Sequence, residues 1–323
     1  MDPAERLAEI RRQLILRSAL NADGVHDRSI ADEVRRGAWL RIARGVYASA
    51  AVHAEWSADE RHLARATAAA LTARARRPVF CGVTAAALLG IPSYNIGHER
   101  VHIALQRPSR VHSTRLIHRH ETGLTAEEIV EVGGLLCTSP ERTLVDVARF
   151  ASTEQAVVVL DAGIRQLFAG DDNGPEEAWR EEQLAALSRM PGERGAALAR
   201  ARLTFADQRS ESVAESLSRL QLRRLGYAVE LQVAVPSPSG AAYRVDFELL
   251  GRRTFGEVDG AAKYTDAALR GSRSAADVVL AEKRREDWIR GATGYGVVRW
   301  DFETSRSARA LGERLRAFRV PPP

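Results

Sequence analysis

Apolar and polar positions alternate with two different periods along this chain, and the change of period divides it into segments. Over 4–20, Leu7, Ile10, Leu14 and Ile15 share one face of a 3.6-residue repeat, which predicts an amphipathic helix. Ser29 with Asp32 three residues on reads as a capping box opening a second helix, and Gly37 stops it. Residues 39–47 then read as strand, turn, strand. Helices followed by a small basic hairpin predict a winged helix over 1–55. Residues 56–170 mix helices (57–76, 83–89) with strands (101–104, 113–118), broken at Gly90-Ile91-Pro92. Thr125 with Glu128 reads as another helix cap. Ser139-Pro140 sets an N-cap before a proline at the first helical position, so helices are expected to Phe150 and over 153–167.

The turn-rich run at 170–175 opens a segment, 171–208, that reads as a helical linker with helices at 176–190 and 193–206. From 209 to 319 the order is helix (211–225), strands (228–235, 242–250, 253–259), helix (275–290), strand (296–300) and helix (304–318). The fold class is therefore α/β, α+β overall: a winged helix, a mixed middle domain and a C-terminal α/β/α domain.

Hydrophobic residues make up 45% and charged residues 28%, enough for a core in a soluble protein. The net charge of +5 admits a polyanionic partner. Arginine supplies nearly all of the basic charge, Lys263 and Lys283 being the only lysines. Such a composition follows from a GC-rich genome, so arginine content alone is weak evidence for phosphate binding. Cys81 and Cys137 stand outside any CxxC spacing, which excludes a zinc ribbon or redox pair and fits a reduced cytoplasm. The first residues carry no apolar run of the signal-peptide kind, and no stretch is long enough to span a bilayer, so no membrane partner is expected.

The chemistry-bearing pattern lies in the C-terminal strands. Asp246 sits on one strand and Glu257 and Asp259 on the next, joined by a hairpin at Gly251-Arg252. A strand period of two puts Glu257 and Asp259 on one face, and pairing around the hairpin brings Asp246 beside them. Glu215 on the preceding helix offers a fourth carboxylate, with Glu211 one turn earlier as its alternative. Converging carboxylates repel, and a hard divalent cation, Mg²⁺ or Mn²⁺, removes that cost while activating a water. Lys263 follows closely and suits the stabilisation of a phosphorane-like transition state. The series Glu215…Asp246…Glu257-Val258-Asp259-Gly260…Lys263…Glu282-Lys283-Arg284-Arg285…Gly296-Val297-Val298-Arg299 resembles the PD-(D/E)xK superfamily, most nearly its Vsr-like branch, over about 210–318. The resemblance implies a restriction-endonuclease-like fold, with Asp246 and Glu257 as paired metal ligands and Glu215 as the helix acid. Asp259 stands where many relatives carry lysine. Lys283, Arg284 and Arg285 are positioned to follow a phosphate backbone.

At the other end, Arg35, Arg36, Arg41 and Arg44 cluster around the second helix and the hairpin, the two elements by which winged helices meet DNA. The stretch 41–47 (RIARGVY) and the stretch 137–149 (CTSPERTLVDVAR) resemble AbiEi-type antitoxins over about 5–165. That resemblance implies a DNA-binding autorepressor whose genetic partner is a nucleotidyltransferase toxin, and it admits a homodimer. Arg142, Asp146 and Arg149 have the spacing of a helix ion-pair network, and a structural role is expected for them. His98, His102, His112, His118 and His120 are scattered over loops and strands with no acids at helical spacing, and are expected to be exposed or internally satisfied. P-loop and GxSxG motifs are absent. The leading expectation is a DNA-binding antitoxin or defence-type protein with a metal-dependent endonuclease domain. The alternative is a regulator whose nuclease-like domain only binds.

Overall fold

The computed structural model describes residues 2–73, 76–98, 100–105, 112–170, 174–189, 192–259 and 275–323. The fold is mixed α/β and divides into two compact units, Met1–Ala206 and Asp207–Pro323.

The first unit opens with α1 (Pro3–Gln13), capped by Asp2, whose carboxylate accepts from the backbone N–H groups of Ala4 and Glu5. The apolar face foreseen over 4–20 does not stay helical. After Leu14 the chain extends as β1 (Ile15–Leu16), then winds into α2 (Arg17–Ala22) and α3 (Asp27–Arg35). The helix ends there because Ile15 and Leu16 pair antiparallel with Tyr47 and Val46, so sheet hydrogen bonds replace helical ones. α3 starts two residues before Ser29, at a His26 N-cap that makes no side-chain bond, and Gly37 ends this stretch at φ 73°. β2 (Trp39–Ala43) and β3 (Val46–Ser49) complete a three-stranded sheet of order β1-β3-β2, turned at Gly45 with φ 75°. These are the helices and basic hairpin expected from the sequence of a winged helix.

α4 (Ala50–Glu55), α5 (Ala58–Leu71), β4 (Val79–Phe80), α6 (Gly82–Leu88), β5 (Val101–Leu105), β6 (Ile117–Glu121), β7 (Ile129–Val132), β8 (Leu135–Thr138), α7 (Pro140–Phe150), α8 (Thr153–Leu167), α9 (Gly174–Ser188) and α10 (Ala196–Phe205) follow. The five strands form one sheet of order β6-β5-β4-β8-β7. Thr125 and Glu128 do form a local turn, the Thr125 N–H donating to the Glu128 carboxylate at 3.0 Å. It leads into the β7–β8 hairpin rather than a helix, since Ile129 and Val130 favour extended backbone and Gly133 and Gly134 supply the turn.

The winged helix does not stand apart from the middle region. Leu7 and Ile10 of α1 and Val46 and Ala48 of β3 belong to the same buried cluster as Leu63, Phe80, Leu144, Leu160 and Leu203. Burying each of the larger side chains among them, Val, Leu, Ile or Phe, contributes about 1.5–3 kcal/mol relative to leaving it in water. The segment read as a linker is likewise packed into this core, through Leu187 of α9 and Ala199 and Leu203 of α10. The Arg180 guanidinium donates to the Ala206 carbonyl at 3.0 Å, which ties α9 to the end of the unit.

The second unit runs α11 (Val213–Arg224), β9 (Val229–Pro236), β10 (Ala242–Leu249), β11 (Thr254–Val258), α12 (Ala275–Thr293), β12 (Gly296–Trp300), α13 (Phe302–Ser305) and α14 (Ala308–Ala317). β9, β10 and β11 are antiparallel neighbours, and β12 adds parallel to β11, giving the order β12-β11-β10-β9. Phe247, Leu249, Val298 and Trp300 pack with Leu222 of α11 and Leu311 and Leu315 of α14. Phe255 and Val297 pack with Ile289 of α12 in a separate cluster. Gly256 is small because the Trp300 ring lies over it: a Cβ there would sit 2.3 Å from Trp300 Cη2.

Gly256→Ala is expected to destabilise the protein by about 1–3 kcal/mol through overpacking. In contrast, Gly291→Ala in α12, where an added Cβ meets nothing within 4 Å, is expected to stabilise by up to about 1 kcal/mol through helix propensity. Chemical denaturation of the two variants measures both signs, and equal shifts would contradict the packing described.

Candidate functional site

The predicted carboxylates lie where strand pairing put them, but their partners differ from those expected. Glu257 on β11 is registered against Arg299 on β12. Parallel neighbours in register point to the same face, so carboxylate and guanidinium lie side by side. Arg299 Nη2 is 2.8 Å from Glu257 Oε2, and Arg285 Nη2 from α12 is 2.7 Å from Glu257 Oε1. Glu257 is buried, at 7% exposure, so its charge is held by two arginines where the sequence predicted a cation. The same arginines serve further acids. Arg299 pairs with Glu282 and, at 3.3 Å, with Glu286, and Arg285 reaches Glu282 at 3.2 Å. Burial pulls the Arg299 pKa down, but the hydrogen bond to Glu282 and the charges of Glu257, Glu282 and Glu286 outweigh it, so both it and Arg285 stay firmly protonated.

The remaining acids have separate roles. Asp246 Oδ2 accepts from the Val258 backbone N–H at 2.7 Å, bridging β10 and β11 just past their last registered pair, Phe247 and Gly256. Asp259 is more exposed and lies 3.8 Å from Arg299. Glu215 caps its own helix. It accepts from the Glu211 N–H at 2.9 Å and from the Ser212 hydroxyl at 2.8 Å, and also from the Gln232 amide at 3.0 Å. That makes Glu215, rather than Glu211, the buried helix acid, in a hydrogen-bonded position at the helix start. Lys263 lies outside the described residues. Of the consecutive basic residues 283–285 on α12, Lys283 and Arg284 are exposed, whereas Arg285 is committed to Glu257 and to the Arg244 carbonyl. Among the described residues these acids form no group of three ligand atoms close enough to share an ion. Glu257 here has Arg285 and Arg299 as its partners, where the sequence led us to expect Mg²⁺ or Mn²⁺.

The basic residues of the winged helix separate into two pairs. Arg35 and Arg36, at the end of α3, fold back onto Asp32 and Glu33. Arg41 and Arg44, on the β2–β3 hairpin, are exposed. The Trp39 and Tyr47 rings, 6.3 Å apart, stiffen that hairpin at its base. In the middle region Arg142 bridges Asp146 at 3.0 Å and Glu128 at 2.7 Å, the structural network expected of it.

Three of the histidines that looked scattered along the sequence come together. β5 and β6 pair parallel with His102 opposite His118 and Ala104 opposite His120. One face therefore carries all three imidazoles, with ligand atoms within 4.8 Å of one another. They line a cavity of about 550 Å³ together with Cys81, Asp146, Arg149 and Phe150. The signal was the His-x-His spacing on a strand, but its meaning depends on a partner strand some fifteen residues away.

Fold and site together define a two-unit α+β protein: an N-terminal segment of helices and a three-stranded sheet built into a larger α/β core, and a four-stranded C-terminal sheet whose buried Glu257 is paired with two arginines. It belongs to the family of the uncharacterized proteins MT2308 and Rv2248 from two strains of Mycobacterium tuberculosis. Each is 32% identical to it over 217 residues, covering 67% of this chain and 71% of the relative. No family model matches the chain.

The clamp has a testable sign. Carboxylates that repelled one another would make the metal-free protein more stable when one is neutralised. Glu257→Gln is instead expected to destabilise it by about 3 kcal/mol, because Arg285 and Arg299 are left facing each other. Urea unfolding in chelator measures this, and a stabilised variant would contradict the pairing.

Proposed function

We propose that the chain is a cytoplasmic DNA-binding regulator of the antitoxin type, and that its C-terminal unit keeps a nuclease-like frame without cleaving DNA. The observation that carries the DNA-binding half is the exposed Arg41–Arg44 hairpin beside α3. Wing arginines of this kind meet phosphates, while α3 enters the major groove. Arg35 and Arg36 add to the interface once phosphates draw them from Asp32 and Glu33. Lys283 and Arg284 offer a second exposed basic pair. The non-cleaving half is supported by Glu257. For Mg²⁺- or Mn²⁺-dependent hydrolysis it would have to release both Arg285 and Arg299 before taking up a metal. A nucleotidyltransferase toxin as genetic partner rests on the likeness of 41–47 and 137–149 to AbiEi-type antitoxins. No helix among the described residues is long and apolar enough to cross a membrane, and Cys81 and Cys137 are free thiols, in keeping with a reducing compartment.

Fluorescence anisotropy with duplex DNA from upstream of the protein's own gene tests the reading. Binding is expected to weaken steeply with salt. Arg41→Ala with Arg44→Ala is expected to lower the slope of log affinity against log salt by about 2 and affinity by at least roughly tenfold. Absence of binding at low salt, or a double variant that binds like the parent, would overturn it.

A further inference from the structure

Three imidazoles gathered on one sheet face beside a cavity are unusual for residues with only a packing role. His102 lies on β5 at 9% exposure, and His118 and His120 alternate on β6, so a regular parallel ladder aims all three the same way. The ring centroids are 5.1 Å apart for His102 and His118, 4.9 Å for His102 and His120, and 4.2 Å for His118 and His120. His120 Nε2 lies 3.2 Å from His102 Nδ1.

The surroundings hold the cluster in place. The His102 backbone N–H donates to Thr84 Oγ1 at 2.9 Å, and Thr84 in turn bonds the buried His62 at 2.8 Å, which fixes β5 against α6. Gly82 leaves room for the His102 ring: a Cβ there would stand 3.3 Å from His102 Nδ1. Phe150 packs on His120 with centroids 5.7 Å apart, forming an apolar wall. Burial, followed by the neighbouring histidines, lowers the pKa of His102 to about 2 and that of His120, also beside Arg100 and Arg194, to about 4.

We propose that His102, His118 and His120 bind a divalent transition-metal ion of the zinc type, with one coordination position open to the adjacent cavity. The donor set decides the class of metal. Imidazole nitrogen suits zinc and its first-row neighbours, whereas Mg²⁺ and Ca²⁺ call for oxygen ligands. A tetrahedral ion bonds histidine nitrogen at about 2.0–2.1 Å, which draws the three ligand atoms in from their present spacing by side-chain rotation. Three protein ligands leave a fourth place, and the cavity of about 550 Å³ in front of it has room for water or a small ligand. Mg²⁺ or Mn²⁺ at the C-terminal acids is a separate matter, and this site lies wholly within the first unit.

The test uses the full chain without an affinity tag, stripped with chelator and titrated with Zn²⁺ by calorimetry and with Co²⁺ by absorption spectroscopy. One ion per chain is expected, with visible Co²⁺ bands of a four-coordinate site. His118→Gln and His120→Gln are each expected to weaken binding at least roughly 100-fold. His112→Gln, an exposed histidine outside the cluster, leaves it unchanged. Circular dichroism confirms that each variant is folded. Absence of Zn²⁺ binding, binding that survives in both folded cluster variants, or equal binding of Mg²⁺ would overturn the assignment.

Discussion

A carboxylate withdrawn from water needs a compensating charge, and the identity of that charge at Glu257 governs how the C-terminal unit reads. A divalent cation would leave open positions for water and phosphate. The arginines instead each pair with more than one acid, Arg285 with Glu257 and Glu282 and Arg299 with Glu257, Glu282 and Glu286. Here Arg285 and Arg299 come from two different elements, α12 and β12, and meet Glu257 on the strand between β10 and β12. The pairing therefore ties helix to sheet, and Glu282 and Glu286 extend it along α12. Such a network fixes geometry more than it adds stability, because the desolvation cost of buried charges offsets much of their attraction.

The first unit is organised by a different constraint. A winged helix alone has little core, and this one borrows core from the helices and sheet that follow it. Leu7 and Ile10 reach the same cluster as Leu144 and Leu203, so α3 and the β2–β3 hairpin are anchored in a body of some two hundred residues. The His102, His118 and His120 cluster sits in that same body. Metal binding there would couple to the stability of the unit that carries the wing, since a ligand bound only by the native state stabilises it.

Local signals were legible in the sequence, and pairings distant along the chain were not. The start of α7 follows from Ser139-Pro140, and both α7 and α8 lie where expected. The four C-terminal strands and the helix between β11 and β12 were also readable from period and turns. β1 was hidden because Ile15 and Leu16 continue a helical apolar face and become a strand only when Tyr47 and Val46 arrive. The β7–β8 hairpin was hidden behind a capping-type bond at Thr125 that serves a turn equally well. Asp246 and Glu257 could be placed near each other from the hairpin. The arginines that take Glu257 could not, since Arg285 and Arg299 lie 28 and 42 residues downstream. The histidine cluster failed for the same reason: His118 and His120 gain meaning only from the parallel register with His102.

Two arginines hold the buried Glu257 on the inner strand β11 of the C-terminal sheet, and under the proposed function they leave it no part in metal-dependent cleavage. Incubating the purified full chain with supercoiled plasmid and Mn²⁺, beside an Asp246→Ala variant and a chelator control, tests it most directly. The account predicts that the plasmid stays supercoiled in every arm. Nicking or linearisation by the parent protein that disappears both in Asp246→Ala and with chelator would contradict it.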